Sequence, residues 1–235
     1  MDEIVKEVLT ENKMVIQEVE YGYKTYFSYF DDGKEDYYVL LFISYDELKI
    51  LNGDNDLKLE FLINAIIEDI SKKKLKDFNV SNLEYNLSFI LILNLENETE
   101  LILKELHKIE ENYRIAKKYI LHYNDKDSSN LKHKITSGNV IHELNRIAIH
   151  NSDLLNKKNE TWYRLLMSLF IKLPFLNYIP LDDNQQLKNI KTEITSEFNT
   201  LQMMVVEKIL SDFDQNQDIE DFLLTNNLFE NESGE

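Results

Sequence analysis

The sequence predicts an α+β fold: an N-terminal mixed sheet with a hairpin and covering helices, followed by a helical C-terminal part. Three observations carry this. Two runs rich in aromatic and β-branched residues, Tyr21–Phe30 and Tyr37–Ser44, flank Asp31-Asp32-Gly33-Lys34, and Asp-Gly between such runs is a strong hairpin signal. Leu87–Leu95 is a nearly continuous apolar run bounded by Asn-rich turns, as expected of a strand buried on both faces. From Val140 onward, apolar residues recur every three or four positions, the spacing of one helical face.

In chain order, the hairpin comes first. Its second strand ends at Ser44, which forms an S-x-x-E pattern with Glu47; the hydroxyl can accept from an orphan N–H while the carboxylate reaches back, so a helix starts there. Asn52-Gly53-Asp54 ends it. Over 57–70, the spacing of Leu59, Leu62, Ile63, Ile66, Ile67 and Ile70 predicts a helix laid on the sheet. Leu87–Leu95 follows as the buried strand, Glu98–Glu111 returns to helical spacing through Leu101, Leu106 and Ile109, and Lys118–Tyr123 reads as a further strand. The polar stretch Asn124–Ser137 reads as a linker. It divides the chain into a sheet domain over 1–125, a helical domain over 126–210 and an acidic tail over 211–235. Helical faces are formed by Val140, Leu144 and Ile147, by Trp162, Leu165, Leu166, Leu169 and Phe170, and by the longer set Leu187, Ile190, Ile194, Phe198, Leu201 and Val205.

Composition narrows the function classes. Of 235 residues, 43% are hydrophobic and 29% charged, enough to build a packed core. The absence of cysteine removes disulfides, zinc-cysteine sites, iron–sulfur clusters and thiol nucleophiles together. The acidic stretch Met1–Glu11 has no signal-peptide pattern, and no window nears about 18 apolar residues, so a cytoplasmic location away from membranes is expected. Sequons starting at Asn79, Asn86, Asn97 and Asn159 are then chance in an Asn-rich chain. The net charge of −17 is uneven: Lys72–Lys172 holds 17 basic against 13 acidic residues, whereas Ser211–Glu235 has eight acids and no Lys or Arg. Tight DNA binding by the chain alone is not expected, because it leans on clustered Lys and Arg.

Motifs that resemble known chemical sites fall short of their requirements. His142-Glu143 begins a zinc-peptidase signature, but the place four residues on is Arg146, and His150 lies eight on, about 12 Å away along a helix. Both histidines read as polar-face residues. Asp212, Asp214, Asn216 and Asp218 match the first half of a calcium loop, yet Gln217 stands where glycine is needed and Leu223 where the bidentate glutamate is needed. The basic cluster Lys72-Lys73-Lys74-Leu75-Lys76 suits the negative end of a helix dipole. No phosphate-cradling glycine motif or strand-borne E-x-K element occurs, and nothing singles out a carboxylate pair among 43 acids. No catalytic residue, cofactor or metal site is expected.

Three stretches carry a family resemblance: Asn86–Leu93, Lys108–Tyr123 with its Lys117-Lys118-Tyr119, and Trp162–Leu176. Together, across residues 37–176, they resemble the middle or accessory components of bacterial three-component ABC-ATPase defence systems, Lamassu included. The resemblance implies a non-catalytic subunit that binds an SMC- or Rad50-like ATPase, couples recognition of invading DNA to an effector such as a nuclease, and meets DNA only through the complex. Trp162, Phe170, Phe175, Leu176 and Tyr178 lie close together in sequence and are the candidate partner interface, since aromatics concentrate at interface centres. The alternatives are a divergent metal-dependent nuclease or other hydrolase, and an acidic antitoxin that masks a basic toxin.

Overall fold

Alternation along the strands decides the architecture. In β3 (Tyr37–Ser44), Tyr38 and Leu40 face one way and Tyr37, Val39, Leu41 and Ile43 the other; in β4 (Leu87–Asn94), Ile90 and Ile92 oppose Leu87, Phe89, Leu91 and Leu93. Every one of these is buried, so these two strands need apolar cover on both faces, which is why they read as unbroken apolar runs. The computed structural model describes residues 1–179 apart from 54–57, 77, 79–81, 113, 137 and 158.

The sheet has five strands in the order β1-β2-β3-β4-β5. β1 (Met14–Glu18), β2 (Lys24–Phe30) and β3 form an antiparallel meander, and β3, β4 and β5 (Lys117–Tyr123) run parallel. The predicted hairpin is β2–β3, with Thr25 opposite Leu41 and Gly33 at φ 85° in its connection. The two parallel connections place α2 (Tyr45–Asn52), α3 (Leu59–Asp69) and α5 (Glu100–Glu110) on one face. Helix α2 opens with the predicted capping box: Ser44 Oγ accepts from Glu47 N–H at 3.2 Å, and Glu47 Oε2 accepts from Ser44 N–H at 2.8 Å. Helix α3 passes into one π turn at Ile70–Lys74, and the four-residue α4 (Leu83–Asn86) leads into β4.

The opposite face is covered by α1 (Asp2–Glu11), α6 (Asp125–Lys134), α7 (Val140–His150) and α8 (Thr161–Lys172). One hydrophobic cluster runs from Ile4, Val5, Val8 and Leu9 of α1, through Tyr38, Leu40, Ile90 and Ile92 of the sheet, to Leu144, Ile147, Leu166 and Leu169. The boundary expected at 125/126 is therefore not a boundary between cores. Helices α6–α8 are the second cover of the sheet, and residues 1–181 form one compact unit, with the division of the chain falling at 181/182.

The expected linker is likewise corrected. Residues 125–134 are helical because polar side chains do the anchoring. Asn124 Oδ1 accepts from Asp127 N–H at 2.8 Å, the buried Asp127 carboxylate takes the Thr161 hydroxyl at 2.6 Å, and the chain's amino group reaches Ser128 Oγ at 3.0 Å. The heptad-like stretch over 187–205, the calcium-loop pattern over 212–223 and the acidic tail lie outside the described residues. Among those described, no helix is long and apolar enough to cross a membrane.

Candidate functional site

The five candidate interface residues separate into two groups. Trp162 is 7% exposed in the first turn of α8, where its Nε1–H donates to Glu160 at 2.6 Å and Lys134 Nζ lies 4.2 Å from its ring centroid. Phe175 and Leu176, each 3% exposed, turn back into the core after α8, with Phe175 edge-on to Tyr38 at 5.3 Å between centroids. Burial first, and then the Asp36 carboxylate, push the Tyr38 hydroxyl up to about 12. These three are core residues, and the expectation that they present an interface is corrected. Phe170 is half-buried at the core's edge, and Tyr178, 49% exposed, packs edge-on against it at 5.6 Å.

Tyr178 and its neighbour Ile179, 55% exposed, are not loosely held. Asn145, 1% exposed on α7, grips the backbone on either side of Tyr178: its Nδ2–H donates to the Asn177 carbonyl at 3.3 Å, and its Oδ1 accepts from Ile179 N–H at 2.5 Å. The same amide also donates to the Ile141 carbonyl at 2.9 Å. A buried carboxamide with both ends satisfied fixes a backbone course, and here it holds two apolar side chains outward. Sequence reasoning missed Asn145. A polar amide in the apolar stripe Leu144-Asn145-Ile147-Ala148 was the available signal.

The zinc-peptidase fragment has a structural use. Glu143 is 5% exposed, accepting from Arg146 Nε and Nη2 at 2.9 Å each and from Thr136 N–H and Oγ1 at 3.2 and 2.8 Å. The Arg146 hydrogen bonds first, then those of Thr136, bring its pKa down to about 2. His142 is largely exposed, and His150 Nδ1 bonds the Arg146 carbonyl at 2.8 Å within its own helix. They share no ligand site. Among the described residues no group of three or more His, Asp or Glu is placed to hold a metal ion.

Two cavities lie at the ends of the parallel strands. One, about 640 Å³, lies at the strand starts between Lys72, Asn82, Tyr85 and Arg114. The basic cluster that borders it begins in the π turn, where Lys72 pairs with Glu68 at 3.4 Å and Lys73 with Asp69, so these two lysines pair within their own helix. The other, about 310 Å³, lies at the strand ends by Ser44, Asn94, Glu96 and Asp125, the edge where open α/β sheets place ligands. There Asn94 Nδ2–H donates to Asp125 at 3.0 Å and Asp125 N–H donates to Glu96 at 3.1 Å, while Asn94 Oδ1 is buried without a hydrogen-bond partner among the described residues. Tyr45 also lines this second cavity, and burial first, then the Glu105 and Asp46 carboxylates, push its hydroxyl up. Burial first holds the His122 imidazole below its ordinary value.

No protein-family model matches the chain, and no curated protein or solved structure matches it significantly.

Proposed function

We propose that the chain is a non-catalytic accessory subunit that docks on an SMC- or Rad50-like ATPase of a defence complex and couples recognition of foreign DNA to an effector such as a nuclease. The defence setting rests on the resemblance of residues 37–176 to such components. The docking role rests on the one observation that Tyr178 and Ile179 stay exposed while a buried amide holds the backbone around them. An aromatic fixed outward before binding loses little freedom on contact, and that favours affinity. The anchor is thus narrower than the sequence suggested: Tyr178 with Phe170 beneath it, and Ile179 at its side.

The test is co-expression of the tagged chain with the ATPase encoded beside it. Retrieval of the large ATPase in stoichiometric amount, with no ATP hydrolysis or DNA cleavage by the chain alone in Mg²⁺ or Mn²⁺, is the expected result. Metal-dependent cleavage that survives purification and is lost on one carboxylate substitution would replace this reading with the hydrolase. A small basic protein retrieved instead of the ATPase would replace it with the antitoxin.

A further inference from the structure

The cavity of about 640 Å³ at the starts of β4 and β5 is bordered by two departures from regular backbone. On one side α3 widens into the π turn Ile70–Lys74, an arrangement frequently found at functional sites, and this turn brings Lys72 to the cavity. On the other side Asn82 stands at φ 55°, in the left-handed region that asparagine tolerates. Its Nδ2–H groups are held by the Glu35 carboxylate at 2.9 and 3.1 Å. Backbone fixed in such conformations clusters at ligand sites. Between the two departures, Leu87 and Ile115 give an apolar wall, and Tyr85 is 79% exposed. The charged lining residues are Glu68, Lys72 and Arg114. Lys72 pairs with Glu68 at 3.4 Å. Arg114 bonds through its backbone N–H, to Asn112 at 3.0 Å, but its guanidinium makes no hydrogen bond or ion pair among the described residues. Arg146, by contrast, spends both arms of its fork on Glu143.

We propose that this cavity binds a nucleoside monophosphate, its phosphate on Arg114 and Lys72 and its base against Tyr85. A guanidinium is a planar fork that takes two phosphate oxygens at once. A phosphate monoester, with a second pKa of about 6, brings close to two negative charges at neutral pH, which answers two cations where a carboxylate answers one. Lys72 is available for this because its pairing with Glu68 joins two largely exposed side chains, 72% and 49%, and such pairs hold weakly in water. Tyr85 offers a ring for the base to stack on, and the volume lies within the range of about 300–1,000 Å³ of small-molecule sites. A nucleic-acid chain is disfavoured, because a polyanion meets the field of a protein of net charge −17. A single phosphate inside the cavity answers chiefly to the charges within a screening length of about 8 Å. The site is separate from the docking surface: Leu87 belongs to the core cluster on the α3 face, and Phe170 beneath Tyr178 to the cluster on the other.

Isothermal titration of the full chain with AMP, GMP, CMP and UMP tests this. At least one of them is expected to bind saturably with a Kd below about 1 mM. Its parent nucleoside and inorganic phosphate, each lacking one of the two contacts, are expected to bind about tenfold or more weaker. Arg114→Ala should weaken the nucleotide about tenfold or more, and Arg114→Lys, which keeps the charge without the fork, should weaken it less. Tyr85→Ala should remove most of the advantage over inorganic phosphate. These variants are expected to melt like the parent, because Arg114 and Tyr85 are exposed. Lys157→Ala, outside the cavity and paired with Asp153, is expected to bind as the parent does. No saturable binding of any of the nucleotides in that range, equal binding of inorganic phosphate, binding indifferent to both Arg114→Ala and Tyr85→Ala, or a single-stranded oligonucleotide that binds more tightly than every mononucleotide at about 0.15 M salt would each overturn the proposal.

Discussion

The carboxylate of Glu143 titrates at about 2 because Arg146 and Thr136 bond its charged form. A folded-state pKa below the unfolded value gives stability that is present above the unfolded pKa, about 4.3, and is lost as pH falls through the folded one. Glu143→Gln should therefore lower Tm at pH 7, and its deficit against the parent should shrink as pH drops from about 4.5 toward 2. Thermal melts at both ends of that window check this; a deficit that grows on acidification would contradict the assignment. Asn145 belongs to the same scale. Its loss removes three hydrogen bonds, two of them to the 177–179 backbone, so Asn145→Ala should cost about 1–3 kcal/mol, read by denaturant unfolding. It should also weaken partner capture by freeing Tyr178. Unchanged capture with lost stability would show that holding the backbone course does not matter for docking.

At the scale of elements, capping and periodicity were legible in the sequence, whereas α1, β1, α4 and α6 were not. The Ser44–Glu47 box, the β2–β3 hairpin, the α3 face and the buried β4 all followed from local chemistry. Helix α1 was missed because its acids dominate the composition, although Ile4, Val5, Val8 and Leu9 already form a helical stripe. Its acids are used. Glu11 accepts from Val140 and Ile141 N–H at 2.6 and 2.8 Å, capping the start of α7 from 129 and 130 residues away, and Asp2 pairs with Lys24 at 2.9 Å. No local pattern announces such partners. Helix α6 was read as linker for the same reason, since its anchors Asp127 and Ser128 act on residues distant in sequence. Leu9→Ala, at a fully buried α1 position, should cost about 2–5 kcal/mol of unfolding free energy. A loss below about 0.5 kcal/mol, the level of a neutral surface change, would show α1 to be dispensable.

For the whole molecule, one hydrophobic cluster joining α1, the sheet and α6–α8 predicts that these parts unfold together. Hydrogen exchange in rising denaturant should show amides of β4 and α8 losing protection at the same concentration; α8 melting first would restore the two-domain division expected from sequence. That division failed because a polar helix and a polar linker share a composition, and only the packing partners distinguish them. The candidate interface was half legible for a related reason. An aromatic cluster in sequence does not say which rings the core takes, and the sheet's need for cover claimed Trp162, Phe175 and Leu176 while leaving Tyr178 outside. The most direct test of the docking account compares Tyr178→Ala with Phe175→Ala for both melting and capture of the ATPase. Tyr178→Ala is expected to melt like the parent yet lose about 2 kcal/mol or more of binding, whereas Phe175→Ala loses about 3–5 kcal/mol of stability. Full capture by Tyr178→Ala, at unchanged melting, would contradict the account.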